Sequence, residues 1–329
     1  MPPKISILIP TLNEEDFIEE CVLSLMCDSY PLEQIEVLII DGGSSDRTLE
    51  KITTLQQRFK QIKHIHNSKM IVPAAMNIGI KHASNPIIVW CGSHAKYDKD
   101  YLTHSVQALL SNTGCASSGG VITPIAKTET GKAIAIATCN QFGIGNASYR
   151  YATEKTIVDT VFGGCFYKSS VNTIGGFNEE WVRNQDYEFN YRLRTHVGNI
   201  VLDPSIRCQY YCRESIKKLA QQYYSYGFWR FRTLQKHPQS LTPRQTAPVL
   251  LVVGLTLSLI LGLSGYIIGL LLPMIYITTN IVVSTFVAIK QKKWRLLTKL
   301  PIIFTTIHLS WGSGFICNAF QTVSKRTSK

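Results

Sequence analysis

Three short polar segments follow three strand-like runs in the first hundred residues. They are residues 10–14, 41–46 and 92–94. A carboxylate such as Asp41, placed directly after a strand, can accept a hydrogen bond from a ring N–H of a ligand. Three polar loops at three strand ends predict a single ligand site.

A fourth polar segment, residues 184–192, carries Asp186 close to the start of a predicted helix. A carboxylate on a rigid helix start can take a proton from an attacking hydroxyl, which makes Asp186 the best candidate for a catalytic base. An acidic residue in a first helical turn is also favoured by the helix dipole alone, and this structural explanation stays open.

Strands alternate with helices in the region that carries these segments. Strands are predicted at residues 4–9, 36–40, 63–66 and 86–90, and helices at 14–26 and 74–83. Such alternation predicts a parallel, Rossmann-like sheet, in which ligands bind at the carboxyl ends of the strands. The three polar loops are therefore expected to surround one crevice.

Composition divides the chain into two parts. Of its 329 residues 17% are charged, against about 25% in an average soluble protein. Residues 248–289 contain no Asp, Glu, Lys or Arg, and the net charge of +12 comes largely from basic residues that flank the apolar segments. This placement indicates a membrane surface, and no nucleic-acid-binding signature accompanies it.

The C-terminal third is predicted to be a membrane anchor. We expect a catalytic domain at 1–237, a linker at 238–247, a transmembrane helical hairpin at 248–289, a basic cytosolic loop at 290–299, and a third membrane-associated or transmembrane segment at 300–320. A buried pair of soluble helices is the alternative for 248–289. Basic loops favour the cytosol, the nine cysteines form no C-x-x-C pair, and no signal peptide precedes the first strand. We therefore expect a protein of the inner or plasma membrane with its catalytic domain in the cytosol.

The motifs at residues 6–14, 37–46 and 184–192 together resemble family 2 glycosyltransferases, and bacterial succinoglycan-type exopolysaccharide transferases in particular. The resemblance covers about residues 4–240. It implies an α/β GT-A fold, a Rossmann-like nucleotide-binding domain, followed here by the C-terminal transmembrane helices. It also implies a hexosyltransferase-like enzyme that uses a nucleotide-sugar.

The resemblance assigns two sets of site residues beside the base Asp186. The nucleotide-sugar would be bound by Pro10, Thr11, Asn13, Glu14, Asp41, Ser44, Asn77, Gly92 and Ser93. The acceptor side would be lined by Gly163, Gly164, Glu188, Arg192, Gln222, Trp229 and Arg230. Asp41 would accept a uracil N–H, and Asp46 would brace its own loop. A structural explanation stays open for three of these residues. Asp41 fits a turn position, Asn77 fits a polar surface position, and Trp229 fits the packing of its helix.

The metal position departs from the family pattern. Family members carry Asp-x-Asp or Asp-x-His after the fourth strand to bind Mg²⁺ or Mn²⁺, whereas this chain has Gly92-Ser93-His94. Hard cations prefer oxygen ligands, so His94 without an acid at position 92 would bind Mg²⁺ poorly. Three interpretations follow: another carboxylate assists His94, basic side chains neutralise the diphosphate, or the activity is altered or lost.

The leading hypothesis is an inverting glycosyltransferase. It would transfer a sugar from a nucleotide-sugar, in our expectation a UDP-sugar, to a lipid-linked or polysaccharide acceptor at the cytosolic membrane face, alongside polysaccharide-assembly partners. The alternative is a non-catalytic subunit that binds a nucleotide-sugar or a partner transferase. A polymerising synthase is disfavoured because few membrane segments are predicted and no Gln-x-x-Arg-Trp motif is present.

Overall fold

The computed structural model describes residues 1–145 and 147–327. The chain forms two compact units, and each contains two separate stretches of sequence. We call Met1–Thr123 with Ser148–Tyr211 the sheet unit, and Pro124–Ala147 with Cys212–Lys329 the helix unit. The domain boundaries expected from the sequence stay predictions.

The strands belong to one nine-stranded mixed sheet. They are β1 (Ile5–Thr11), β2 (Ile35–Asp41), β3 (Ile62–His66), β4 (Ile87–Trp90), β5 (Ala95–Tyr97), β6 (Cys115–Ile125), β7 (Thr156–Val158), β8 (Gly164–Tyr167) and β9 (Asn199–Tyr211). Their order is β3-β2-β1-β4-β8-β6-β9-β5, and β7 pairs with β9.

The parallel sheet predicted for the first four strands is confirmed, and antiparallel strands extend it. A helix connects each of the first four strands to the next. These four strands pair in parallel, and Thr11 of β1 lies opposite Asp41 of β2. From β8 onward the described pairs are antiparallel. In this part the order β4-β8-β6-β9-β5 places non-consecutive strands side by side, so the repeating strand–helix–strand pattern of the first four strands does not continue. Pro10, which we expected to end the first strand, lies inside β1.

Helices cover both faces of the sheet. The helices of the sheet unit are α1 (Ile18–Met26), α2 (Thr48–Arg58), α3 (Val72–His82), α4 (Tyr101–Ser111), α7 (Lys168–Ile174) and α8 (Gln185–His196). Because side chains alternate along a strand, Ile7 of β1 packs into one apolar cluster and Leu8 into the other. Both faces of the parallel strands are therefore buried, which accounts for their nearly continuous apolar sequence.

The helix unit contains six further helices. They are α5 (Glu129–Ala137), α6 (Gln141–Ile144), α9 (Ile216–Lys236), α10 (Pro243–Leu263), α11 (Leu271–Lys290) and α12 (Leu300–Thr327). Three helical stretches are long and apolar enough to cross a membrane: Gln245–Leu263, Ile267–Lys290 and Leu300–Thr322. They lie where the sequence predicted the hairpin and the third segment, and they indicate membrane association.

Glycines allow helices α9 and α12 to approach closely. A Cβ atom on Gly227 of α9 would lie 1.9 Å from the carbonyl oxygen of Trp311, and one on Gly314 of α12 would lie 2.0 Å from that of Tyr224. Only a residue without a side chain fits these positions. Small residues at helix contacts are a common means of association in membrane proteins, where burial of apolar surface gives little driving force.

Polar side chains add hydrogen bonds between the apolar helices. The Asn280 amide donates to the Pro301 carbonyl and to the Thr305 hydroxyl, both at 2.9 Å. His308 Nε2 lies 2.6 Å from the Phe142 carbonyl and Nδ1 lies 2.9 Å from the Tyr276 hydroxyl. Since a carbonyl only accepts, Nε2 donates and the Tyr276 hydroxyl donates to Nδ1. These bonds link α6, α11 and α12.

Candidate functional site

The loops after β1 and β2 are joined by side-chain hydrogen bonds. Asn13 has a positive φ of 54°, its N–H donates to Ser44 Oγ at 2.8 Å, and its Oδ1 accepts from the Ser45 N–H at 2.8 Å. Asp46 Oδ2 accepts from the Glu15 N–H at 3.2 Å, so Asp46 braces the loop as expected. The predicted nucleotide loops therefore form one interlocked surface at the carboxyl edge of the sheet.

Asp41 is buried at the end of β2, with 1% of its surface exposed. One carboxylate oxygen accepts from the N–H groups of Gly43 and Ser44 at 2.7 and 2.9 Å, and the other accepts from Ser44 Oγ at 2.5 Å. These bonds support the turn explanation. A carboxylate has about four lone-pair sites, so one remains for a ligand N–H. Recognition of uracil by Asp41 stays a prediction.

Other predicted nucleotide residues are engaged within the protein. The Thr11 hydroxyl donates to the Ile9 carbonyl at 3.1 Å. The Asn77 amide donates to the Phe177 carbonyl at 2.9 Å and to Glu179 at 3.1 Å, and its oxygen accepts from the Phe177 N–H at 2.8 Å. Asn77 thus fastens α3 to the turn after α7, and this structural role accounts for its position without a ligand.

The loop after β4 is held by one tyrosine. The Tyr97 hydroxyl accepts from the Gly92 N–H at 2.7 Å and donates to the Gly92 carbonyl at 3.2 Å. Ser93 is buried, with 4% of its surface exposed. His94 follows, and its Nδ1 lies 3.1 Å from Glu14 Oε1 in the loop after β1. The third polar loop therefore contacts the first, as the strand-end argument predicted.

An aromatic cluster that no local motif predicts reaches His94 through Tyr210. The rings of His94 and Tyr210 have centroids 4.9 Å apart, and the Phe162 ring lies 5.5 Å from that of Tyr210. The Arg150 guanidinium lies over Tyr210, 5.8 Å from the ring centroid. Tyr210 is brought to His94 by the antiparallel pairing of β5 with β9, with Ala95 opposite Tyr210. No local motif indicates a pairing over more than a hundred residues.

The residues around His94 determine which divalent metal ion this site could bind. Within residues 1–145 and 147–327, no three His, Cys, Asp or Glu side chains converge as a metal-binding group. His94 nevertheless has the carboxylate partner that metal-binding imidazoles commonly have, with Nδ1 directed to Glu14. An imidazole nitrogen together with diphosphate oxygens suits Mn²⁺ better than Mg²⁺. The residues present therefore fit an ion held jointly by His94 and a nucleotide diphosphate.

The paired glycines before β8 have a backbone reason. Gly163 has a φ of +65° and Gly164 a φ of +127°, and a Cβ atom on Gly163 would lie 2.4 Å from the Trp90 carbonyl oxygen. Both positions favour glycine on conformation, and the first also on space. Their place on the acceptor side stays a prediction.

Asp186 lies in the first turn of α8 and is half-buried. Its Oδ1 accepts from the Tyr187 N–H at 2.9 Å. Burial raises the pKa of the Asp186 carboxyl above its ordinary value, and this backbone hydrogen bond only partly opposes the rise. The carboxylate is therefore a stronger base than a free aspartate, as a proton acceptor should be.

Glu188 and Arg192, predicted on the acceptor side, pair with each other on α8. Their two hydrogen bonds measure 2.8 and 2.7 Å, and the guanidinium also donates to the Ile174 carbonyl at 2.6 Å. Glu188 is 1% exposed. Asn190 on the same helix donates to the Thr160 hydroxyl at 2.9 Å. These contacts brace the helix that carries Asp186, and contact of the pair with an acceptor stays a prediction.

The remaining predicted acceptor residues belong to α9 in the helix unit. The Gln222 amide donates to the Tyr226 hydroxyl at 2.9 Å, and Trp229 is half-buried beneath the Arg232 guanidinium, 5.2 Å from its ring centroid. Arg230 is 3% exposed and donates to the Ser240 carbonyl. These contacts support the packing explanation for this face of α9, and contact with an acceptor stays a prediction.

Comparison with known proteins identifies the family. The family model described as "Glycosyl transferase family 2" matches residues 6–175. A dolichyl N-acetyl-α-D-glucosaminyl phosphate 3-β-D-2,3-diacetamido-2,3-dideoxy-β-D-glucuronosyltransferase of Methanococcus voltae is 32% identical over 230 residues, 68% of this chain and 71% of that protein. The succinoglycan biosynthesis protein ExoA of Rhizobium meliloti is 28% identical over 245 residues, 74% of each chain.

A solved structure has the same fold. The mannosyltransferase PcManGT from Pyrobaculum calidifontis, in complex with GDP-Man and Mn²⁺, superposes with a TM-score of 0.66 at 13% identity, and the match covers 98% of this chain and 88% of that one. It confirms the GT-A-like α/β domain followed by apolar helices. The chain is a membrane-associated glycosyltransferase and belongs to glycosyltransferase family 2.

Proposed function

We propose that this glycosyltransferase inverts the anomeric carbon of a UDP-sugar and transfers the sugar to a lipid-linked or polysaccharide acceptor. The observation that carries the proposal is Asp186, a half-buried carboxylate with a raised pKa in the first turn of a braced helix. Asp186 takes the proton of the attacking acceptor hydroxyl while that oxygen bonds to the anomeric carbon. The bond to the nucleoside diphosphate breaks in the same displacement, and the diphosphate leaves with the electron pair.

The position of the Asp186 carboxylate depends on α8, the helix that carries it. The buried Glu188–Arg192 pair ties the helix to the Ile174 carbonyl, and Asn190 ties it to Thr160. A general base must lie within about 3 Å of the hydroxyl that it deprotonates. We infer that these contacts hold Asp186 in place, and that Glu188 and Arg192 act by positioning it.

The donor is proposed to bind at the interlocked loops. The remaining acceptor site of Asp41 would receive the uracil N–H, and the loop of Pro10, Thr11, Asn13 and Glu14 would line the nucleotide. A divalent ion held by His94 would supply positive charge that stabilises the departing diphosphate. Support for such a donor comes from the loop geometry and from the family.

The helix unit and the relatives support the proposed acceptor and its location. The name of the M. voltae relative specifies a dolichyl-linked sugar phosphate, and that of the R. meliloti relative a role in exopolysaccharide synthesis. Three apolar helices support an acceptor in the membrane. Exposed basic residues between α11 and α12, such as Lys292 and Lys293, favour the cytosolic side for that loop.

The test is turnover by membranes that contain the full chain. Asp186→Asn keeps the shape of the side chain but removes the base, so turnover of a UDP-sugar should fall by about 10²- to 10⁴-fold while UDP binding stays unchanged. Asp100→Asn, at an exposed aspartate before α4, is the matched control and should keep full turnover. Undiminished turnover in Asp186→Asn would overturn the mechanism.

A non-catalytic subunit is the second candidate, because Gly92 stands where the family has an acid. Measuring the binding and turnover of a panel of UDP- and GDP-sugars with Mn²⁺ distinguishes an active transferase from a non-catalytic subunit. Tight nucleotide binding without turnover of any donor, in the presence of acceptor-bearing membranes, would favour the subunit.

A further inference from the structure

An aromatic ring lies close to the position of the missing acid. A Cβ atom on Gly92 would lie 3.3 Å from Cζ of Phe162, which is closer than most Cβ contacts. An aspartate at position 92 would therefore meet the Phe162 ring unless the ring moved. The departure from the family pattern is built into the packing around the loop.

The loop itself is rigidly placed. Both polar backbone atoms of Gly92 bond to the Tyr97 hydroxyl, and the Cys21 thiol lies 3.5 Å from the Gly92 carbonyl oxygen. The His94 carbonyl accepts from the Tyr211 N–H at 3.2 Å, and the imidazole packs against Tyr210. Contacts on both sides thus fix the backbone of His94.

Glu14 reaches His94 from an independently fixed position. Its backbone N–H donates to Thr48 Oγ1 at 2.8 Å at the start of α2, and its carboxylate lies 3.1 Å from His94 Nδ1. The Glu14 side chain is 18% exposed and the His94 side chain 32%, so the pair is sheltered but reachable from solvent. Since an ionised carboxylate only accepts, His94 Nδ1 carries the proton.

We propose that Glu14 replaces the acid absent at position 92 by acting through His94. This inference rests on the proposed nucleotide-sugar donor. With the proton held on Nδ1, Nε2 is the lone pair that the neutral ring offers to a divalent cation, and the described residues form no hydrogen bond to it. Glu14 is a positioning residue: it sets the tautomer and orientation of His94, as carboxylates beside metal-binding imidazoles do. The site should therefore prefer Mn²⁺ to Mg²⁺.

The experiment measures Mn²⁺ binding to the full chain in nanodiscs with UDP, by electron paramagnetic resonance. Glu14→Gln removes the charge and should weaken Mn²⁺ binding about 10- to 100-fold, and His94→Gln should weaken it at least as much. Glu15→Gln is the matched control: Glu15 is the next residue and pairs with Arg47 at 3.3 Å, so its loss should leave Mn²⁺ affinity unchanged. Thermal unfolding of each variant verifies folding.

A spectroscopic readout separates positioning of the metal ligand from contact with ribose. Echo modulation from an imidazole nitrogen bound to Mn²⁺ should be present in the wild type, absent in His94→Gln and diminished in Glu14→Gln. Absence of this coupling in the wild type, or wild-type Mn²⁺ affinity in Glu14→Gln, would overturn the inference and leave the proposed transfer standing if UDP binds. Failure of UDP to bind at all would overturn the donor assignment and this inference together.

Discussion

The sheet unit and the helix unit differ sharply in charge. The sheet unit contains 20 of the 22 acidic residues and 17 basic ones, whereas the helix unit contains 17 basic residues and only Glu129 and Glu214 as acids. The net charges are therefore −3 and +15. The overall +12 of the chain conceals a nearly balanced part and a strongly basic part. This difference is typical of one part built for water and another for an anionic lipid surface.

The two units also fix their backbones in different ways. In the sheet unit, side chains such as Asn13, Asp41 and Asn77 bond to loop N–H and carbonyl groups. In the helix unit, Gly227 and Gly314 bring helices into backbone contact, and most of the exposed large apolar side chains of the chain lie on α10–α12. Loops in water need polar partners, while helices in lipid satisfy their own backbones and need close packing.

The largest expected effect concerns the base in the sheet unit. Because the pKa of Asp186 is raised by burial, kcat/KM should fall about tenfold per pH unit below that raised pKa, at a higher pH than an exposed aspartate would give. Asp186→Glu should displace this acid limb. Glu129→Gln, at an exposed acid of the helix unit, should not. If Glu129→Gln shifted the acid side of the kcat/KM profile and Asp186→Glu did not, Asp186 would not be the base.

Acid should destabilise the sheet unit before the helix unit. Burial opposes ionisation of Glu36, but hydrogen bonds from Lys63, Ser6 and Ser84 outweigh it and lower the pKa of Glu36 to about 2. A lowered folded-state pKa stabilises the fold above the ordinary pKa, by at most about 3 kcal/mol here, and this is lost as pH falls from about 5 towards 2.

Hydrogen exchange of peptides from each unit between pH 7 and about pH 2 measures this order. Glu36→Gln should remove the stabilisation already at pH 7. Glu50→Gln, at an exposed glutamate of α2, should change the free energy of unfolding by less than about 0.5 kcal/mol. If the helix unit opened at a higher pH than the sheet unit, the predicted order would be wrong.

Close helix contact in the helix unit predicts a smaller effect. Gly227→Ala places a Cβ atom against the Trp311 backbone and should cost about 1–3 kcal/mol. Gly262→Ala is the matched control, since its Cβ atom would meet the end of the Leu270 side chain at 3.3 Å. Thermal denaturation in detergent micelles compares them, and UDP binding should persist in both. Equal melting temperatures for the two variants would show that the glycine contact does not stabilise the fold.

The smallest expected effect is electrostatic. Lys293 is exposed in the loop between α11 and α12, and Lys293→Gln should reduce the stabilisation by anionic lipid by about 1 kcal/mol. Unfolding of the chain in anionic and zwitterionic nanodiscs at low and high salt measures it. Lys81→Gln, at an exposed lysine of the sheet unit, should show no lipid dependence. A loss for Lys293→Gln that is independent of lipid and salt would contradict the surface-charge explanation.

Local patterns predicted most of the parallel half of the sheet. The apolar runs at 36–40 and 86–90 gave β2 and β4 within a residue or two, because each is bounded by a turn residue and buried on both faces. The aromatic and basic pattern of residues 216–233 predicts an amphipathic helix, and the structure has α9 there, Ile216–Lys236. The acid–base pair Glu188–Arg192 has the i, i+4 spacing that helical neighbours need.

Long-range pairing could not be obtained in this way. His94 meets Glu14 across 80 residues of chain, and Tyr210 meets His94 only because β9 runs antiparallel to β5. Residues 124–147, which contain α5 and α6, carry no sequence signal that they join the C-terminal helices. Such contacts depend on how helices and strands pack together. The local pattern of a single sequence predicts each helix or strand but not its packing partners.

The bond between His308 and the Phe142 carbonyl has a consequence for synthesis of the protein. Its two residues are 166 positions apart, so a ribosome adding about 5–20 residues per second makes the first on the order of ten seconds before the second. Throughout that interval α5 and α6 exist without the helix against which they pack. A chain stalled before α12 would present their apolar faces to chaperones and proteases.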